Sequence, residues 1–299
     1  MDEAVLTDAE LRAAMAAVPE LRGFAGTPQR MSGLTNRVYR LGAYCLRIPG
    51  AGTEEYIDRA NEAVAAREAA RAGVGPTVIH ADPETGLMVT EFIDGAVTMT
   101  PEAFRERPGA PERAAQTLQR LHESGATFPF RFELFSMIDD YFGVLATKDV
   151  ALPEGYHDVV AEAESVRRAL AAHPVALAPC HCDPLCENFL DTGTRMWIVD
   201  WEYSGMNDPM WDLGDLSVEA GFDADQDEAM LRAYFGGEAR PEARGRMVIY
   251  KAMCDLLWTL WGLIQLANDN PAEDFRAYAD TRFARCRALM ATPDFAGHV

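Results

Sequence analysis

The pattern of apolar and polar positions changes character near residue 95. Before it come short runs with strand character: "TPQRMSG" (27–33), "RVYRLG" (37–42), "AYCLRIPG" (43–50), "PTVIHAD" (76–82) and "GLMVTEFID" (86–94). Gly, Asn and Pro-containing turns such as "PETG" separate them, so they read as strands. Between the third and fourth, "TEEYIDRANEAVAAREAARAG" (53–73) has helical spacing, with Thr53 in the N-cap position and Gly73 as its stop. An Ala/Leu-rich helix leads the chain, opened by Thr7 and Glu10 in the capping-box arrangement. After that helix the order predicted is β-β-β-α-β-β.

Beyond Gly95 the helical pattern dominates, over 111–125, 136–147, 155–173, 226–237, 241–269 and 271–291. Short β-like pieces interrupt it at "VALAPCH" and "RMWIVDW". The expected architecture is α+β and two-lobed: a small β-rich lobe over 1–95 and a large helical lobe over 96–299. No internal repeat or low-complexity segment is present. The most apolar stretch, "MVIYKAMCDLLWTLWGLIQLA", carries Lys251 and Asp255, so a buried helix is expected and membrane insertion is not.

Composition narrows the partners. The 299 residues are 48% hydrophobic, enough for a two-lobed core, and the formal charge of −20 repels phosphate backbones, so nucleic acid is not expected as a partner. The same surface attracts cations, including cationic small molecules and Mg²⁺, although acidity of this kind also serves solubility alone. The six Cys form no paired CxxC knuckles, and the N-terminus "MDEAVLTDAELRAAM" has no signal-like apolar region. Reduced thiols and a cytoplasmic location are expected. A homodimer is left open.

"HCDPLCENFL" (181–190) concentrates the candidate chemistry. Cys180, His181, Cys182 and Cys186 could be soft metal ligands, but structural zinc sites need a second spaced pair, and none is nearby. A Cys–His nucleophile is a second reading, though a base adjacent in sequence is not its usual geometry. The third fits by spacing. His181, Asp183 and Asn188 make the H-x-D-x-x-x-x-N of a kinase catalytic loop, in which the Asp accepts the proton of the attacking hydroxyl and the Asn holds Mg²⁺. Such a loop needs a second metal-binding acid on a following strand. Asp200 stands twelve residues after Asn188, behind Trp197, Ile198 and Val199.

The small lobe should then hold ATP. In "SGLTN" (32–36) the small residues from Ser32 to Asn36 would let backbone amides approach phosphates, unless this is a plain hairpin turn. Arg47 occupies the third-strand position of the phosphate-gripping cation, where protein kinases carry Lys. Glu62 is the expected helix acid paired with it, with Glu68 as competitor. Backbone groups from Glu91 to Ile93 would meet adenine.

With these segments in place, the chain resembles the choline/ethanolamine kinases, within the wider aminoglycoside-phosphotransferase-like group. The resemblance covers about 28–287 and rests on "SGLTNRVYRL", "LRIPG", "HCDPLCENFL", "VDWEYSGMNDPMWDLGDLSVEAG", "LLWTLWGLIQ" and "YADTRF". It implies a protein-kinase-like fold and MgATP-dependent phosphorylation of an amino-alcohol hydroxyl, with choline favoured. Asp183 would be the base, Asn188 and Asp200 the Mg²⁺ ligands, Arg47 the phosphate grip and His181 a brace. The loop departs from the family in Cys182, where Asn or Gly is frequent, and in Pro184 and Leu185.

A quaternary ammonium has no N–H to donate, so its site needs aromatic faces and one or two acids. Trp258 and Trp261 share a helix face that Gln265 continues. Periodicity alone would make them core; the resemblance makes them a cage with Tyr278, with Glu219 as the acid beside it. Glu202 and Tyr203 are expected at the rim. Asp212 is expected to buttress the catalytic loop, Trp211 to be core, Asp208 to serve a turn, and Cys180, Cys182 and Cys186 to pack as small apolar groups. Ethanolamine, a methylated ethanolamine, thiamine or an aminoglycoside are alternative acceptors. A nucleotide-binding pseudokinase is the alternative from another class.

Overall fold

The computed structural model describes residues 8–299 except 32, 34, 35, 51 and 52. Helix α1 (Asp8–Ala17) leads into strands β1 (Gln29–Arg30), β2 (Arg37–Leu41) and β3 (Tyr44–Ile48). Helix α2 (Arg59–Arg71) follows, then β4 (Val78–Ala81) and β5 (Met88–Glu91). The five strands form one antiparallel sheet in the order β1-β2-β3-β5-β4. Val18, Leu21, Tyr39, Leu41, Leu46, Leu87 and Val89 make a separate small core there.

The leading helix lies where expected, although Thr7 is outside the described residues. Thr53 does not cap α2. It opens a single 3₁₀ turn, Thr53–Glu55, and its hydroxyl donates to the Gly50 carbonyl at 2.9 Å. Asp58 is the cap, accepting from the amides of Ala60 and Asn61 at 2.9 and 3.0 Å. A carboxylate at this position satisfies two of the four orphan amides of the first turn.

The chain leaves the sheet after β5 and joins the second part through β6 (Val97–Thr98), α3 (Pro101–Glu106), α4 (Ala110–His122), α5 (Leu134–Leu145), α6 (Tyr156–Glu162) and α7 (Glu164–Ala172). The expected single helix over 155–173 is therefore two. Next come β7 (Ala178–Cys180), β8 (Phe189–Asp191), β9 (Met196–Ile198) and β10 (Gly205–Asn207). The last helices are α8 (Pro209–Ala220), α9 (Ala224–Phe235), α10 (Pro241–Ala267), α11 (Phe275–Met290) and α12 (Pro293–Ala296). Strand β10 pairs with β7, while β6, β8 and β9 make a three-stranded ladder. The loop 181–188 thus hangs between β7 and β8, and Asp200 follows β9. Two small ladders hold both ends of the candidate site.

Of the helices that periodicity did not announce, α3, α8 and α12, the longest is α8. Met210 to Val218 are all buried, Asp212, Asp215 and Ser217 included, so it has no polar face to generate a period. Its close packing on α10 depends on Gly214: a Cβ there would lie 2.9 Å from the Met247 carbonyl oxygen and 3.1 Å from the Lys251 amide. Helix α10 is long and apolar enough to cross a membrane by length and composition, but 89% of its most apolar window is buried inside the molecule. It is the axis of the helical core.

Candidate active site

The loop is shaped by one buried carboxylate. Asp212 accepts from the backbone amides of His181 and Cys182, both at 2.8 Å, and from His122 Nε2 at 2.9 Å. Tyr234 closes the chain at His122 Nδ1, 2.8 Å away. His122, Cys180 and Asp212 lie close enough to suggest a metal site, but Asp212 spends its oxygens on those amides and on His122, so this is a hydrogen-bond network. Asp212 is the expected buttress. Trp211 is buried core and also ties the loop, donating Nε1–H to the Cys182 carbonyl at 3.0 Å. His181 donates Nε2–H to the Val199 carbonyl at 3.0 Å, and burial lowers its pKa, so the neutral ring acts as a brace between loop and metal strand.

Cys182 has φ +68°, a left-handed conformation that Gly and Asn adopt at least cost. The Asn or Gly frequent at this place in the family has that backbone reason. All three loop thiols are buried and unpaired, and burial raises their pKa, so they serve as packing groups. Asp208 does more than turn the chain. It caps α8 through the Met210 amide at 3.0 Å and accepts from Tyr250 and Arg246.

Asp183 and Asn188 are brought together as the spacing requires. Asn188 Nδ2 donates to the Asp183 carbonyl at 2.9 Å, which leaves its amide oxygen for another partner. The Asp183 carboxyl sits in an acidic, poorly solvated place, and its pKa is pushed well up by burial first, then by Asp215, Asp200 and Glu219, with Arg282 opposing. Asp200 also has a left-handed backbone, φ +67°, and its Oδ1 is buried without a hydrogen-bond partner. Burial and the neighbouring Glu202 raise its pKa as well. Two hard oxygen donors, one of them a buried carboxylate oxygen without a hydrogen bond, fit Mg²⁺.

Across the cleft, Arg47 on β3 is buried in carboxylates. Its Nη1 lies 2.5 Å from Glu62 Oε1, 2.7 Å from Glu202 Oε1 and 3.8 Å from Asp200 Oδ1, while Nη2 donates to the Gly86 carbonyl at 3.1 Å. Glu62 is thus the partner, and Glu68 instead pairs with Arg71 on the surface. Two members of this cluster were not expected in it. Arg59 reaches Glu62 Oε2 at 2.9 Å and Glu202 Oε1 at 2.6 Å, and Glu202 is the hub rather than a rim residue. Burial works against its charge, but Arg47 and Arg59 hold its pKa below the ordinary value. The Asn36 side chain turns inward, its Nδ2 donating to Glu202 Oε1 at 2.9 Å. Ser32 lies outside the described residues. Gly33 is needed for the turn, since a Cβ would run into the Asn36 carbonyl. At the hinge, the amides of Glu91 and Phe92 are spent on the carbonyls of Thr77 and Ala43, both at 2.8 Å. Ile93 makes no backbone hydrogen bond among the described residues.

The aromatic side holds more than the expected three rings. Trp258 meets Tyr203 edge-on, centroids 5.2 Å apart, and Tyr203 is near-parallel to Tyr56 at 6.4 Å. Trp261 and Tyr278 are 5.6 Å apart. Gln265 holds the Tyr56 hydroxyl at 2.9 Å. Tyr141, buried on α5, adds a further hydroxyl whose pKa is raised chiefly by burial and also by Tyr56 and Asp183. Glu219 is not a free acid: Arg282 grips both its oxygens at 2.5 and 2.9 Å. Asp215, buried on the same helix and accepting from Trp258 Nε1, is an acid not singled out from the sequence. The signal was available, since Asp212, Asp215 and Glu219 are spaced three and four apart and share one helix face. Tyr56, Tyr141 and Arg59 gave no such signal.

A small sheet with its buried cation, a helical lobe and a loop of this build define a kinase-like phosphotransferase fold, and the comparisons agree. Residues 27–247 match the phosphotransferase enzyme family. A choline/ethanolamine kinase family protein from Mesorhizobium loti is 70% identical, with a TM-score of 0.89 over 97% of both chains. The choline kinase LicA from Streptococcus pneumoniae is 26% identical, with a TM-score of 0.81 over 95% of this chain and 99% of its own. A LicA structure in complex with AMP is 27% identical, with a TM-score of 0.75 over 89% of this chain and 91% of its own. The chain belongs to the phosphotransferase enzyme family and, within it, to the choline/ethanolamine kinase family. It is an ATP-dependent small-molecule kinase.

Proposed function

We propose that the protein transfers the γ-phosphoryl group of MgATP to the hydroxyl of choline. The observation that carries this reading is that Asp183, bonded through its carbonyl to Asn188, lies within electrostatic reach of Asp200, Tyr203 and Tyr278, with Trp258 edge-on to Tyr203. The similarity to the structures described above supports the class of acceptor. Ethanolamine is the nearest alternative.

In this reading Asp183 accepts a hydrogen bond from the hydroxyl and takes its proton as the phosphoryl group transfers. Burial and the neighbouring acids raise its pKa, which strengthens it as an acceptor of that proton. Asn188 and Asp200 would hold Mg²⁺, which when bound offsets charge on the phosphates. Arg47, supported by Glu62, would approach the phosphates, and the segment through Glu91 and Ile93 would border adenine. Trp258, Trp261 and Tyr278 would offer ring faces to the ammonium head, with an apolar wall that excludes water from the transfer. The lobe division near residue 95, where the chain passes from β5 to β6, would place nucleotide and acceptor on opposite sides of Asp183. Catalysis is then mainly positioning and charge neutralisation.

Asp183→Asn tests the assignment. Turnover should fall by roughly 10³-fold or more while ATP binding persists. The folded-state pKa of Asp183 is raised, so its favourable contribution is present at low pH and lost as pH rises above the ordinary carboxylate range. The neutral variant should therefore unfold at a higher temperature than the wild type at about pH 8. Retained turnover would remove Asp183 from the chemistry.

A further inference from the structure

Glu219 is the acid the family pattern offers to a cationic acceptor, yet here it already has a cation. Arg282 holds both its oxygens and lies 4.4 Å from the centre of the Tyr278 ring. One carboxylate and one aromatic face are thus occupied by the protein's own guanidinium, which Asp255 supports from behind at 3.2 Å. Asp215, one turn earlier on α8, has no such partner. It is 1% exposed, its Oδ2 accepts from Trp258 Nε1 at 3.1 Å, and its Oδ1 has no hydrogen-bond partner. The Cys254 thiol is a further polar neighbour, and Arg282 acts on Asp215 through space without a hydrogen bond to it. Trp258, which it holds, stands against Tyr203. Of all charged groups near Asp183, Asp215 acts on it most strongly.

We propose that Asp215, rather than Glu219, is the counter-ion of the substrate's ammonium group, and that with Trp258 and Tyr203 it sets the preference for a cationic alcohol. This rests on the choline-type phosphotransfer proposed above. The two-carbon spacer of an amino alcohol keeps nitrogen and hydroxyl oxygen roughly 3–4 Å apart, from standard bond lengths. A hydroxyl held at Asp183 therefore keeps the charged head beside that carboxyl, within the field of the acids that act on it, Asp215 among them. A quaternary ammonium donates no hydrogen bond and interacts by diffuse charge, which suits a carboxylate with one oxygen tied back and the other unpartnered. Burial, with Glu219 next to it, raises the pKa of Asp215, as expected of an acid whose cation arrives with the substrate. Arg282, by neutralising Glu219, keeps a second unpaired charge out of the same pocket.

Steady-state kinetics with choline and with its neutral isostere 3,3-dimethyl-1-butanol separate the two acids. The preference for choline should fall by roughly tenfold or more in Asp215→Asn, with KM for ATP unchanged, and by much less in Glu219→Gln. Asn retains an acceptor for Trp258, so the fold should survive; Asp215→Ser is the second variant should it not. A preference intact in Asp215→Asn, or lost more in Glu219→Gln, overturns the proposal. If the wild type phosphorylates neither alcohol, choline as acceptor fails on its own account. Calorimetric binding of tetramethylammonium then decides the role of Asp215. Weaker binding to Asp215→Asn supports it, and equal binding, or none to the wild type, overturns it.

Discussion

Arg47→Met keeps the stem of the side chain and removes the cation from the centre of the nucleotide-side cluster. Arg47 is 9% exposed and touches two acids that are themselves buried, at 2.5 and 2.7 Å. Among the described residues, Arg59 is the cation that would remain beside Glu62 and Glu202. Removing one partner of a buried pair costs about 3–5 kcal/mol, because it leaves uncompensated charge in a poorly solvated place. At about 2 °C per kcal/mol for a chain of this size, the melting temperature should fall by roughly 6–10 °C. The pH dependence is more diagnostic. In the wild type the pKa of Glu202 is lowered, so its contribution is present above the ordinary carboxylate range and lost as pH falls. Without Arg47, burial is opposed by Arg59 and Asn36, so the lowering of the Glu202 pKa should shrink and with it the stability it contributes at higher pH. The deficit of the variant should be largest at about pH 8 and shrink toward about pH 5. Thermal unfolding followed by circular dichroism across that range measures it. A deficit below about 2 °C at the higher pH, or one independent of pH, would refute the reasoning.

Two further substitutions probe the other side of the cleft. Trp258→Ala removes a ring 5.2 Å from Tyr203 and the donor to Asp215; KM for choline should rise roughly tenfold with KM for ATP unchanged, and equal effects on both would make Trp258 ordinary core. Gly214→Ala places a Cβ 2.9 Å from the Met247 carbonyl oxygen and from Tyr250 Cβ, and should cost about 1–3 kcal/mol by parting α8 from α10. An unchanged melting temperature would show that the two helices can yield there.

The parts of the site that were legible in the sequence are those encoded locally. The spacing of His181, Asp183 and Asn188, and the apolar strand before Asp200, are short-range patterns with a chemical reason, and the structure assembles them. Arg47 and Glu62 were found because a strand cation needs a helix acid. Glu202 as a hub was not, because its three partners, Asn36, Arg47 and Arg59, come from the other lobe, 143 or more residues away in the chain. The same limit hid Tyr56 and Tyr141. Helix α8 escaped because burial all round erases the period, and Thr53 misled because a Thr before acids resembles a cap whether or not the helix starts there. Glu219 shows a different limit. Its position in a motif was right, but whether it was free depended on Arg282, sixty-three residues downstream.

The most direct measurement is ADP release by the purified protein with MgATP and, separately, choline, ethanolamine, thiamine and kanamycin. The account predicts a choline-dependent rate well above the other three. A higher rate with another alcohol would keep the phosphotransferase and contradict the aromatic cage as the determinant of its substrate.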